Sequence, residues 1–351
     1  MISMGKKAHI YFKHESFAKS IRIYLFIVIS FVLIIIPPFL PLGFSPDSLG
    51  YYATINFSPT KYDYLYFEPF YWLIVRVNQI LFNGSWTSFL LFFSFIYVIL
   101  SMYLIKKYSI SPFISLIIFV LLFYPNFGLI QIRDSVSIPF VWWAFFDLME
   151  GKKIRFIIKN IIAALFHYAS IIFLSFLFLN KKDFNRKFYF LLPIIGLILG
   201  QYVFSPGFFQ LIINYLPSKF LKFKAQQYLY ISQYEPESSI NQIHILNTFS
   251  LFVIMVFYFN LIKFRIDEYC ITFTKIIGFS IFFFFCLKTI ATFSFRVSND
   301  FYTFLVFLIP YNIKSFKKEE KYLVYLLFVL MLILISWNMY VRHNLFDFSL
   351  L

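Results

Sequence analysis

The chain has 351 residues, of which 61% are hydrophobic, 24% aromatic and only 13% charged, with a mean hydropathy of +0.77 and a net charge of +15. That apolar share excludes an ordinary soluble domain, and the apolar runs are continuous rather than alternating every second residue, which excludes an outer-membrane barrel. The basic excess lies in short pieces beside the apolar runs, so it reads as membrane topology and not as nucleic-acid binding.

The first apolar run, 20–42, follows Lys6, Lys7, Lys13 and Lys19 and shows no small-residue cleavage pattern, so a retained first span is expected. Further spans are expected at 87–105, 113–130, 134–149, 188–206, 244–262, 271–291, 299–313 and 322–340, since about 20 helical residues cross a hydrocarbon core. The fold class is therefore an all-α polytopic integral membrane protein. It is read as one transmembrane domain over 1–351, with about nine full spans, two short re-entrant or half-membrane helical elements and an outward-facing polar cavity. The main external loops are expected at 43–86 and 207–243. Cys270 and Cys286 lie in or beside apolar runs and point to neither a disulfide framework nor a metal site.

The two short elements are inferred from local signals. Residues 69–83 begin with Pro69, which suits a first helical turn, and end at an Asn83-Gly84-Ser85 turn. Residues 156–179 carry basic residues at both ends, "GKKIR" before and "KKDFNRK" after, whereas a single crossing favours them on one side. With the amino terminus inside, a hairpin here leaves 22 of the 31 Lys and Arg on the cytoplasmic side, and a full crossing leaves 17. Charge therefore favours a re-entrant hairpin. Each arm would have about 12 residues, or roughly 18 Å of helix, with His167 near the tip.

On this topology the uncommon polar groups gather toward the outer face. Asp47, Asp63 and Glu68 fall in 43–86 among tyrosines that include Tyr51 and Tyr64; Arg133 and Asp134 fall at the "YPNFGLIQIRDS" turn, and Arg296 with Asn299 in or beside an outer loop at 292–298. Ionisable groups in or at a membrane are costly, so their gathering marks a site. Two arginines suit phosphoryl oxygens, through paired, charge-assisted hydrogen bonds. A carboxylate or imidazole can remove a proton from a sugar hydroxyl, and tyrosines beside acids form a surface that covers apolar sugar faces. Transfer of a lipid-linked, phosphate-bearing sugar is the reaction these groups suggest.

The order of the motifs adds to this reading. Asp47 with Tyr51, Glu68-Pro69 opening an apolar stretch, "QIRDSVSIPFVWWAFFDLMEGKK", "AALFHYASIIFL" and "RVSNDFYTFLVFLIP" together resemble the EpsG-like polysaccharide polymerases, a branch of the Wzy-type O-antigen and capsule polymerases. The likeness covers roughly residues 20–315. The family's usual Arg-Gln pair stands here as Arg133-Asp134, which leaves any role of the second position open. The resemblance implies a metal-independent glycosyltransferase joining undecaprenyl-diphosphate-linked repeat units on the outer face of the bacterial inner membrane, with no cofactor. Its partners would be that oligosaccharide, membrane lipids and a chain-length regulator, with no nucleic acid. In those terms Arg133 and Arg296 bind diphosphate, Glu68, Asp47 or His167 activates the acceptor hydroxyl, and Asp63, Tyr51 and Tyr64 contact sugar.

Each residue also has a simpler explanation. Arg133 and Arg296 could anchor helix ends at the interface, Glu68 could sit at a helix amino terminus for the dipole, and Asp47 could be a turn residue after Pro46. His167 could be a satisfied buried histidine, the tyrosines an interfacial belt, and Lys288, which could supplement the arginines, a lysine reaching for headgroups. The competing functions are a lipid-linked oligosaccharide flippase and an O-antigen ligase-type transferase. A flippase needs polar groups in both membrane halves, and here they gather toward one.

Overall fold

The computed structural model describes residues 21, 23–45, 47–56, 67–180, 182–216, 222–223, 225–226, 229–230, 248–262 and 267–342. Within them every regular element is helical: α1 (Ile23–Phe39), α2 (Ser48–Asn56), α3 (Pro69–Phe82), α4 (Trp86–Tyr108), α5 (Pro112–Gly128), α6 (Ile132–Met149), α7 (Lys153–Phe166), a 3-10 segment (Tyr168–Phe178), α8 (Arg186–Tyr202), α9 (Pro206–Tyr215), α10 (Thr248–Ile262), α11 (Glu268–Cys286), α12 (Ala291–Tyr302), α13 (Leu305–Ser315) and α14 (Lys318–Arg342).

Three helices are long and apolar enough to cross a membrane alone: α4, α11 and the Glu319–Trp337 part of α14. A fourth crossing can be made by α8 and α9 together, which bend by 79° at a short break. Ile23–Phe39, Pro112–Gly128, Tyr168–Phe178 and Leu251–Ile262 are apolar but shorter. Several breaks have local causes. Pro37 and Pro38 tighten the end of α1 into a 3-10 turn, because neither has an N–H to continue the helix. From Phe119 to Gly128, α5 widens to π-helical turns around Pro125, a rearrangement that tolerates the missing donor. The bare Cα of Gly128 lies against the Tyr124 ring, where a Cβ would come within 2.8 Å.

The expected turn after α3 forms as read: Asn83 takes the left-handed conformation at φ 50° and Gly84 follows at φ 70°, as a helix end followed by a reversal requires. Ser85 then caps α4, accepting from the Ser88 N–H.

The segment 156–179 folds back on itself. At His167 the backbone is extended (φ −150°, ψ 114°), which stops α7 and starts the 3-10 segment. Asn160 on one arm meets the other: its side-chain amide, oriented to satisfy both groups, donates to the Ser170 carbonyl at 2.9 Å and accepts from the Leu174 N–H at 3.0 Å. Residues 14 apart could not touch in a straight helix, where they would lie about 21 Å apart. Against α6, Phe166 packs on Phe140 and Lys159 pairs with Asp147, while Ser170 bonds Ser137 and Phe176 packs on Phe145. Both feet of the hairpin thus lie toward the Met149 end of α6 and His167 toward the Ile132 end.

The core is dominated by phenylalanines. Phe145 of α6 meets Phe273 of α11 at 5.2 Å and Phe304, between α12 and α13, at 5.1 Å, and Phe173 of the hairpin meets Phe301 of α12 at 4.8 Å. These spacings fit edge-to-face and offset ring packing. Helices α8 and α11 touch through Gly196 and Gly200, where a Cβ would stand 2.8 Å from the Phe282 carbonyl oxygen and 2.2 Å from that of Phe285. Small residues four apart let two helix backbones approach this closely. The loop expected at 292–298 is instead the body of α12, and the span expected at 299–313 is divided at Thr303 and Phe304.

Candidate functional site

Glu68 is the hub of the polar cluster. It lies immediately before Pro69, with an extended backbone (φ −71°, ψ 150°) that starts α3, and its carboxylate does not cap the helix. Only 1% of the residue is exposed. Its Oε2 accepts from Arg133 Nη1 at 2.7 Å, Oε1 accepts from the Tyr168 N–H at 3.3 Å, and His167 Nδ1 is 3.4 Å from Oε1. Burial pushes the carboxyl up and is the largest single influence, but His167 and Arg133 together outweigh it and hold it at about 2. Glu68 is therefore ionised at neutral pH.

Arg133 enters from the first turn of α6. Its guanidinium lies 4.9 Å from the ring centre of Phe67, 5.7 Å from that of Tyr51 and 5.9 Å from that of Tyr71, so three aromatic faces back the cation while Glu68 takes its front. Tyr71 is held in turn by a hydrogen bond between its hydroxyl and Thr54 of α2. Burial raises the Tyr51 phenol to about 12, against the lowering influence of Arg133, so this hydroxyl stays protonated and available as a donor. A small pocket of about 10 Å³ abuts this corner, lined by Ser45, Ser48, Tyr51, Trp86, Leu90 and Ile132 among others.

The hairpin tip delivers His167 between two carboxylates. Nδ1 faces Glu68, and Nε2 lies 3.4 Å from Asp134 Oδ1. Asp134, next to Arg133 on α6, is 3% exposed. On the far side, Arg296 of α12 reaches Asp47 at 3.8 Å, with side chains 28% and 33% exposed, a loose contact beyond direct hydrogen-bond range. One turn further along α12, Asn299 and Asp300 are buried. Asp300 feels the charges of Asp134 and Arg296, and Tyr51 feels those of Arg133, Asp47 and Arg296. The two halves of the cluster are thus electrically connected.

The structure brings together Asp47, Tyr51, Glu68, Arg133, His167 and Arg296, supplied by segments as far apart as residues 47 and 296. Asp63 and Tyr64 lie outside the described residues. Lys288 is engaged elsewhere, donating to Gln201 Oε1 at 2.6 Å. Asp300 was missed because the sequence reading divides this stretch, with Arg296 in a loop at 292–298 and Asp300 in a span from 299; on the single helix α12, the four-residue spacing of Arg296 and Asp300 puts them on one face. Asp134 was visible as a scarce charged group beside Arg133 and as a departure from a motif, without a role assigned to it.

Several buried polar atoms of the cluster lack a hydrogen-bond partner: Arg133 Nε, Asp134 Oδ1, His167 Nδ1, Asn299 Nδ2 and Asp300 Oδ1. Each such atom costs about 1–3 kcal/mol, and a concentration of them in one place marks groups arranged for something other than stability. Among the described residues no group of three or more His, Cys, Asp or Glu could hold a metal ion. Chemically, the arrangement offers two cations for an anionic ligand and an imidazole that can exchange a proton.

The model of the EpsG family matches residues 22–350. Neither the curated proteins nor the solved structures contain a match.

Proposed function

Since the chain belongs to the EpsG family, we propose that it is a polysaccharide polymerase that joins lipid-diphosphate-linked repeat units in the membrane, with its site facing outward. The observation that carries this reading is the linked set of Arg133, Glu68, His167 and Asp134, with the Arg296–Asp47 contact within electrostatic reach of it. The transferred chain leaves its carrier when the bond between the anomeric carbon and the diphosphate oxygen breaks, and that electron pair ends on the diphosphate. Guanidiniums placed there stabilise the developing charge.

The two arginines are not equivalent. Arg133 is buried and paired with Glu68 at 2.7 Å, whereas Arg296 stands 3.8 Å from Asp47 and in partial contact with solvent. Arg296 is therefore the primary diphosphate ligand, and Arg133 a fixed positive charge behind it. Glu68, with its carboxyl at about 2, is too weak a base to take a proton from a hydroxyl. It holds Arg133 and orients the imidazole, and His167 is the general base. The acceptor's O–H proton moves to a His167 nitrogen as its oxygen forms the new bond to the anomeric carbon. Asp47 and Tyr51 lie where an acceptor sugar would meet the cluster, as hydrogen-bond partners for it.

The test is deletion of the gene in its native host, with surface polysaccharide separated by size. Complementation by wild type restores a ladder, while Arg296→Ala and His167→Ala at matched membrane expression leave single repeat units on the carrier. Failure of units to reach the outer face would instead indicate a flippase, and long polymer stranded on the carrier would indicate a ligase.

A further inference from the structure

Helices α1 and α4 are joined where Ser94 Oγ donates to the Ile34 carbonyl at 2.9 Å. Beyond that bond their faces part and leave a groove of about 420 Å³. Its walls are Ile27, Phe31 and Ile34 of α1 and Phe95, Ile99 and Met102 of α4, at three- and four-residue spacings that put each set on one helix face. Ile27, Phe31 and Phe95 are more than half exposed, so the groove opens sideways. The hydroxyl of Ser30, which also lines it, is turned back onto the Phe26 carbonyl at 2.6 Å, which leaves the walls apolar. Helix α1 is held at this spacing by α5: Phe26 packs edge-on against Phe113, and the Tyr124 hydroxyl donates to the Leu33 carbonyl at 2.5 Å.

One end of the groove is basic. Lys106 lines it, and Lys107 donates to the hydroxyl of Tyr103, another lining residue, at 3.2 Å. Both lysines are exposed, and among the described residues neither is in an ion pair. This rim lies at the far end of α4 from the polar cluster. Trp86 packs against Tyr52 at one end of the helix, and Tyr108 stacks on Phe146 at 3.8 Å at the other. From Trp86 to Lys106 the helix rises about 30 Å, the thickness of a hydrocarbon core.

We propose that the groove holds one acyl chain of an anionic phospholipid, with the lipid phosphate on Lys106 and Lys107. The apolar walls take the chain, and two cations at the level of the membrane surface select a negative headgroup. The amino-terminal stretch is a poor occupant, since Lys6, Lys7, Lys13 and Lys19 would set like charge against the rim. A lipid-linked substrate with its diphosphate at the polar cluster would have that group a membrane's thickness away.

Native mass spectrometry of the purified full-length protein, titrated in detergent with phosphatidylglycerol or with phosphatidylcholine of the same chains, tests this. Wild type binds one phosphatidylglycerol more tightly than phosphatidylcholine. The double variant Lys106→Gln, Lys107→Gln binds phosphatidylglycerol on the order of 30-fold more weakly, about fivefold per lysine, and no longer separates the two lipids. Ile99→Trp fills the groove, keeps the lysines and weakens the binding of both lipids. These positions are exposed, so both variants keep the lipid-free unfolding temperature of wild type and their losses are not misfolding. Equal affinity of wild type for the two lipids, or selectivity that survives the lysine substitutions, overturns the proposal. So does wild-type binding by Ile99→Trp, which would leave the headgroup on the lysines with no chain in the groove. A lipid-free dimer broken by Ile99→Trp overturns it in favour of a second copy, and tighter binding of a polyprenyl phosphate than of phosphatidylglycerol overturns it in favour of a carrier lipid. None of these readouts depends on polymer formation.

Discussion

The two arginines of the cluster are held in opposite ways. Arg133 sits in a buried frame of three aromatic rings and closes on Glu68 at 2.7 Å, whereas Arg296 stands at the edge, 3.8 Å from an Asp47 that is one-third exposed. A buried ion pair contributes little net stability but is expensive to break from one side, while an exposed pair contributes little in either sense. The inner end of the cluster is thus part of the architecture, and the outer end is the one open to solvent.

Substitutions at the two ends should separate these roles. Arg133→Ala leaves the Glu68 carboxylate buried without its cation and should destabilise the protein by about 3–5 kcal/mol, seen as a large drop in detergent-solubilised unfolding temperature. Arg296→Ala should do the converse. Its stability should stay within about 1 kcal/mol of wild type, while polymer formation falls by roughly 100- to 1000-fold, the loss typical of a donor to developing negative charge. Equal destabilisation by both substitutions would erase the distinction.

A third measurement sharpens the inner end. The Glu68 carboxyl lies at about 2 against an ordinary 4.5, so its stabilising contribution is complete above about 4.5 and is lost as pH falls toward 2. Unfolding stability of wild type should decline through that window by on the order of 2–3 kcal/mol from this group, and Glu68→Gln should lack that part of the slope. An unchanged acid slope in Glu68→Gln would mean that the carboxyl is not held low. The smallest effect is expected at Asp47→Asn: a few-fold change in KM for the lipid-linked substrate, with folding and turnover nearly unchanged, measured in the same polymerisation assay.

Much of this arrangement was legible in the sequence because it is written in local signals. The basic pieces on either side of 156–179 point to a hairpin, and the Asn160 contacts with Ser170 and Leu174 show the chain folding back on itself there. Asn83-Gly84 announced a reversal, and Pro69 a helix start. Charged residues scarce in an apolar chain identified Glu68, Arg133, His167, Asp47 and Arg296, and these converge. What was hidden depends on tertiary context. The π-helical turns around Pro125 and the 79° bend between α8 and α9 leave no periodic trace. Asp300 was hidden because its polar stretch, with Arg296, Ser298 and Asn299 close by, reads as a loop ending at 298 and a span beginning at 299, which parts it from Arg296. It is helical because the Phe301 face packs on Phe173, and tertiary burial of that kind overrides local composition.

The hairpin also acts as a ruler. Its feet are clamped to α6 by Lys159 with Asp147, the Lys159 ammonium lying 3.7 Å from the Trp143 ring centre, and its arms are pinned to each other by Asn160. The height of the imidazole above the clamp is therefore fixed by a count of residues. One residue added to α7 between Lys159 and His167 would lift the tip by about 1.5 Å and swing it by about 100°, carrying the imidazole away from both carboxylates. Arm length here is as strict a requirement as the identity of the histidine, and relatives that share this chemistry should keep the interval from clamp to tip constant even where every side chain between them differs.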